Sequence, residues 1–71
     1  MISPKLLQSN VLRRIYKDSE YEVNRRTYER NSAKRAGNAE VAERLFLEIE
    51  SYVQVARAAL KELRERKEPL N

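Results

Sequence analysis

A single glycine divides this chain. Gly37 stands near the middle of 71 residues, and the two prolines, Pro4 and Pro69, stand near the two ends. The segments between them are therefore free of the two residues that most disfavour a helix interior, and they are rich in Ala, Leu, Glu, Lys and Arg, which favour one. This spacing predicts an all-α fold: helix one over about 4–35, a turn at 36–38 and helix two over about 39–67, all in one domain spanning 1–71. Ser3-Pro4 supplies a start signal, since Ser caps well and Pro is favoured at the first helical position. Gly37 suits the left-handed residue after a helix end, and Asn38 suits the cap of the next helix. Two rods of near-equal length joined by a short turn fold back as an antiparallel helical hairpin. The alternative is a break at Ser19-Glu20-Tyr21-Glu22, which matches the S-x-x-E capping box and would give three shorter helices.

A chain this short buries little core by itself, so it needs a staple, a metal, a partner or very regular packing. There is no cysteine and no histidine, which removes disulfides and Cys/His metal sites. Regular helices and a partner subunit remain. At about 100° per residue, Val41, Leu45, Ile49, Tyr52, Ala56, Ala59 and Leu63 share one face of helix two. Phe46, Val53 and Leu60 sit beside them at seven-residue spacing, and with Val55 they widen the apolar arc to about half the helix. Helix one is less regular. Leu12, Ile15, Tyr16, Ser19 and Val23 lie on one face, which continues as Arg26 and Arg30. One hairpin then leaves much of helix two's arc uncovered, and a large uncovered apolar patch marks an interaction surface. The expected assembly is a two-fold dimer, a four-helix bundle, with Val41, Leu45, Phe46, Ile49, Tyr52, Val53, Ala56, Ala59, Leu60 and Leu63 at the oligomer interface.

Charge is distributed unevenly. Residues 1–37 carry a balance of +5 and residues 38–71 a balance of −1, and residues 25–35 alone hold five cations and one acid. Local fields of this kind attract polyanions. Arg14, Lys17, Tyr21, Arg25, Tyr28 and Arg35 fall in one stripe about 80° wide on the helical wheel. Cations neutralise phosphates, and tyrosines offer rings on which bases stack. Arg26, Arg30 and Lys34 complete the candidate nucleic-acid set, with Arg26 and Arg30 projecting from the other side of the segment. The competing reading is a solvated helix end: cations complement the C-terminal dipole, Glu22–Arg26 and Arg25–Glu29 form i,i+4 pairs, and the tyrosines pack on the neighbouring helix. Lys61, Arg64, Arg66 and Lys67 read the same way, as a solvated tail.

The stretch "RRTYERNSAKRAGNAEVAERL" resembles the basic region of leucine-zipper transcription factors through Asn31, Ala33, Lys34 and Arg35. Gly37 interrupts the helix, and Tyr52, Ala56 and Ala59 replace a leucine seam, so no residue role is taken from that family.

Catalysis is not expected. Without His or Cys the chain lacks the usual neutral-pH acid–base group and thiol nucleophile. One glycine cannot build a phosphate-cradling loop. No cofactor or metal is expected, because the Glu-x-x-His pair of di-metal bundles is missing. The longest run of large apolar residues, Leu45-Phe46-Leu47, is far below the ~20 that span a bilayer. The start "MISPKLLQSN" lacks the pattern of a secretory leader, so the expected location is the cytoplasm. The sequence thus points to a small non-enzymatic nucleic-acid-binding regulator or accessory protein. A protein-interaction module (adaptor or inhibitor) and a self-assembling structural subunit are the alternatives.

Overall fold

In a computed structural model of the chain, which describes residues 3–69, a 3-10 turn over Pro4–Leu6 precedes two helices, α1 (Ser9–Arg35) and α2 (Ala39–Glu65). The terminal residues 1, 2, 70 and 71 of the expected 1–71 domain lie outside the described residues. The helices have 27 residues each and pack antiparallel, with Leu12 beside Leu63 at one end and Arg30 over Phe46 near the turn.

The turn forms as its residues dictate. Gly37 has φ 74°. Its N–H donates to the Lys34 carbonyl at 3.1 Å, and the Asn38 N–H donates to the Ala33 carbonyl at 2.8 Å. This double closure is a Schellman motif, which needs a left-handed residue at that position. A Cβ on Gly37 would meet nothing within 4 Å, so the backbone angle and not crowding asks for glycine. Asn38 then caps α2, its side-chain oxygen accepting from the Val41 N–H at 3.2 Å. The far end of α2 closes in the same manner, with Lys67 N–H to Arg64 carbonyl at 3.0 Å and Glu68 N–H to Leu63 carbonyl at 2.9 Å. Here the left-handed residue is Lys67, at φ 57°.

The start of helix one differs from the expectation. Pro4 opens only a 3-10 turn, Ser3 makes no side-chain cap bond, and Leu7 and Gln8 are extended before α1 begins at Ser9. Asn10 favours the break, because its side chain competes for a backbone group. The Asn10 side chain accepts from the Val11 N–H at 3.0 Å. The extended link swings Leu7 onto the core. No break occurs at Ser19. α1 runs through it, and Ser19 is buried on the stripe it shares with Leu12 and Val23. The small side chain serves close helix approach, which leaves two helices and not three.

The core is concentrated at the open end of the hairpin. Leu12, Ala59 and Leu63 form its centre, with Leu7, Ile15 and Tyr16 packed around them; Ala42 and Leu45 are buried nearer the turn. Leu45, Ala59 and Leu63 are therefore covered by their own α1, and they cannot also line a contact with a second copy. Arg66 ties the open end together instead of forming part of a solvated tail. It donates to Glu62 at 3.0 Å, to the Ser9 hydroxyl at 3.2 Å and to the carbonyls of Pro4 and Lys5, both at 3.2 Å. Arg13 adds bonds to the Pro69 carbonyl at 2.7 Å and to Glu68 at 3.0 Å. The molecule measures 44 × 23 × 14 Å, a single layer of helices. No helix among the described residues is long and apolar enough to cross a membrane.

Candidate nucleic-acid interface

The basic segment 25–35 lies wholly within α1, so helical phase decides where each side chain points. Leu12, Ser19, Val23 and Arg30 define the direction of α2. At about 100° per residue, Arg14, Lys17, Tyr21, Arg25, Tyr28 and Arg35 centre on the opposite direction. They form the outer edge of the hairpin. All six are exposed, with Tyr21 at 64% and Tyr28 at 71%. Neither tyrosine packs on α2, so the competing reading of these rings as helix-packing residues fails. An aromatic ring left this open gains little from folding.

The edge is not uniformly cationic. Arg25 lies 3.4 Å from Glu29, and Arg14 lies 4.0 Å from Asp18. Both pairs are well exposed, and such pairs are worth little and open readily. Lys17 makes no ion pair among the described residues. Among the described residues Arg35 reaches only the Ser32 hydroxyl, at 3.4 Å.

Arg26 and Arg30 belong to a different environment. Arg26 points toward α2, with its side chain only 14% exposed. It pairs with Glu22 one turn back and donates to Glu48 of α2 at 2.9 Å. Its guanidinium lies 4.6 Å from the centre of the Tyr52 ring. The hydrogen bonds it donates to Glu48 and then to Glu22 hold Arg26 more firmly protonated than a free arginine. The hydrogen bond from Arg26 in turn pulls the Glu22 carboxyl below its ordinary value. To meet a phosphate, Arg26 would have to leave two carboxylates and an aromatic face. Arg30 lies 5.0 Å from the centre of the Phe46 ring, a cation–π contact, and its buried Nε has no hydrogen-bond partner among the described residues. Both arginines brace the hairpin. Lys34 lines a shallow groove at the turn end with Arg30, Ala39, Ala42, Glu43 and Phe46, off the outer edge.

The sequence thus placed the outer stripe together but also included three cations that the fold turns elsewhere. It marked the Glu22–Arg26 pair and missed Glu48, whose role depends on the register between helices. Among the described residues no cluster of His, Cys, Asp or Glu could hold a metal ion. No protein family matches this sequence, and no curated protein or solved structure matches it.

Proposed function

We propose that this protein is a small non-enzymatic accessory or regulatory factor that binds nucleic acid through the outer edge of α1. The observation that carries the reading is the exposure of Tyr21 and Tyr28 on a helix edge that also presents Arg14, Lys17, Arg25 and Arg35. Seven residues along a helix is a rise of about 10.5 Å, so the two rings stand apart with cations between and around them. That arrangement suits a single strand or an unpaired loop, where bases are free to stack and the phosphates track the cations. Tyrosine rings this exposed on a solvated edge have no packing task in the hairpin.

The test is a fluorescence anisotropy titration of a labelled oligothymidylate at low salt, repeated as salt is raised. Replacing Arg14, Lys17 and Arg25 together with Gln should abolish binding and leave helicity unchanged. Arg26 and Arg30 are unsuitable targets, since their loss disturbs the fold. No binding by the intact protein at low salt would end the proposal.

The second part of the reading is that the chain works as a homodimer, a four-helix bundle. It is supported by the half-buried state of Val41, Ile49, Val53, Val55, Ala56 and Leu60 and by the exposure of Phe46. A domain buries its apolar faces between two layers, and one hairpin is a single layer.

A further inference from the structure

The hairpin is a flat layer, and its two broad faces differ. One carries the 3-10 turn folded over the open end, where Pro4 and Leu7 meet Val55 and Ala58, and the Glu22–Arg26–Glu48 ion cluster toward the turn. The other face has no such covering. Along it runs a groove between the helices, with Tyr16, Val23, Val53, Ala56 and Leu60 on its walls and the opposite charges Glu20 and Arg57 at its rim. Phe46, 41% exposed, continues it toward the turn.

On this second face α2 carries a repeat of its own. Phe46, Val53 and Leu60 recur every seven residues, which holds one helix to a straight seam against another. The flank of that seam, also at seven-residue spacing, reads Glu43, Glu50, Arg57 and Arg64. The order is two acids, then two cations. Among the described residues none of these four makes an ion pair within the chain. Their neighbours three and four positions away in the chain offer no opposite charge except Glu68 near Arg64, and Arg13 holds Glu68; across the grooves Glu20 of α1 shares a lining with Arg57, and Arg30 and Lys34 share one with Glu43, without closing an ion pair.

Acid in the first half and base in the second half is a self-complementary pattern for antiparallel pairing. About a two-fold axis at Val53, Glu50 meets Arg57 of another copy, Glu43 meets Arg64, and Phe46 meets Leu60. In parallel pairing the two flanks would lie on opposite sides of the seam, and the four charges would find no partner in the other copy.

Surface area points the same way. The chain exposes 5505 Å². A compact monomer of 8.4 kDa exposes about 4,600 Å² by the usual scaling. The excess, roughly 900 Å², is close to the ~800 Å² that each partner contributes to a standard interface. The radius of gyration, 14.5 Å, likewise exceeds the ~11 Å of a compact chain of this length.

We infer that the chain forms an antiparallel homodimer in which the Phe46–Val53–Leu60 stripe of α2 packs on the same stripe of a second copy. Glu43 and Glu50 of each copy face Arg64 and Arg57 of the other. This rests on the self-association proposed above and fixes its face, direction and register. It leaves the outer edge of α1, opposite α2, free on both copies.

Sedimentation equilibrium should show a dimer that a double charge reversal, Glu43→Arg with Glu50→Arg, weakens at least tenfold at low salt. Arg57→Glu with Arg64→Glu should weaken it likewise, and mixing the two variants should restore a tight heterodimer. Cysteine variants treated with a short bis-maleimide read the register, since the native chain has no cysteine. Val53→Cys should cross-link to itself. Phe46→Cys and Leu60→Cys should cross-link to each other and not to themselves, because identical positions would stand about 21 Å apart. A folded monomer at high concentration would overturn both the dimer and this register. A dimer in which Phe46→Cys links to itself, or in which the charge reversals change nothing, would overturn the register alone.

Discussion

Tyr21 and Tyr28 give the sharpest test of the nucleic-acid reading, because folding does not depend on them. At 64% and 71% exposure they bury little apolar surface, so Tyr→Ala at either position should change the unfolding free energy by less than about 0.5 kcal/mol, the usual range for surface changes. If each ring stacks on a base, its removal should cost about 1–3 kcal/mol of binding, a weakening of about 5- to 150-fold. Tyr→Phe separates the two jobs a tyrosine can do. Stacking survives the loss of the hydroxyl, and a phosphate hydrogen bond does not. The expected order of affinity for oligothymidylate is therefore wild type, close to Tyr28→Phe, then Tyr28→Ala, then the double Ala variant. The salt dependence should be the same in all four, because a phenol releases no counterion. Four cations on the outer edge, Arg14, Lys17, Arg25 and Arg35, set that slope at no steeper than about −2.8 per chain, at ~0.7 for each neutralised phosphate of a single strand. Anisotropy titrations at several salt concentrations measure both quantities together. Equal affinity of wild type and the double Ala variant, at any salt, would show that bases do not meet these rings and would refute the stacking geometry.

Leu63→Ala should be the most damaging single truncation, since Leu63 has no exposed surface at the centre of the open-end core. It should cost about 2–5 kcal/mol, against a total stability of about 4–10 kcal/mol for a chain of this size, and urea denaturation followed by circular dichroism measures it. The two left-handed helix ends should respond in opposite directions to substitution. Gly37→Ala should lower stability by about 1 kcal/mol, and Lys67→Gly should raise it by up to about 1 kcal/mol, in the same denaturation assay, because Cβ is disfavoured at positive φ. Acid should weaken the hairpin through Glu22, whose carboxyl lies below its ordinary value of 4.5 because Arg26 donates to it. A lowered folded value means that the contribution is complete above 4.5 and is lost as pH falls through the folded value. Glu22→Gln should flatten that acid limb of a stability–pH profile, and an unchanged profile would show that the Glu22–Arg26 pair adds nothing.

The sequence by itself determined the kind of the long elements and their ends around the turn. Gly37, Asn38 and the 3.6-residue period of α2 act through bonds and angles within a few residues, so they are legible without a partner in view. The same local logic put Tyr21, Tyr28, Arg14 and Arg25 on one edge of one helix. Competing local signals misled where two motifs overlapped. Ser3-Pro4 opens a 3-10 turn only, as Asn10 takes up a backbone N–H where α1 starts, and the capping-box pattern at Ser19 lies inside a continuous helix. Tertiary structure alone decided which face of α1 meets α2. Arg26 and Arg30 look like their neighbours in the chain, yet the register between helices sets Glu48, Tyr52 and Phe46 against them and takes them out of the candidate interface. Burial and charge pairing across helices depend on residues some 16 to 26 positions apart, and no window of local sequence contains both partners.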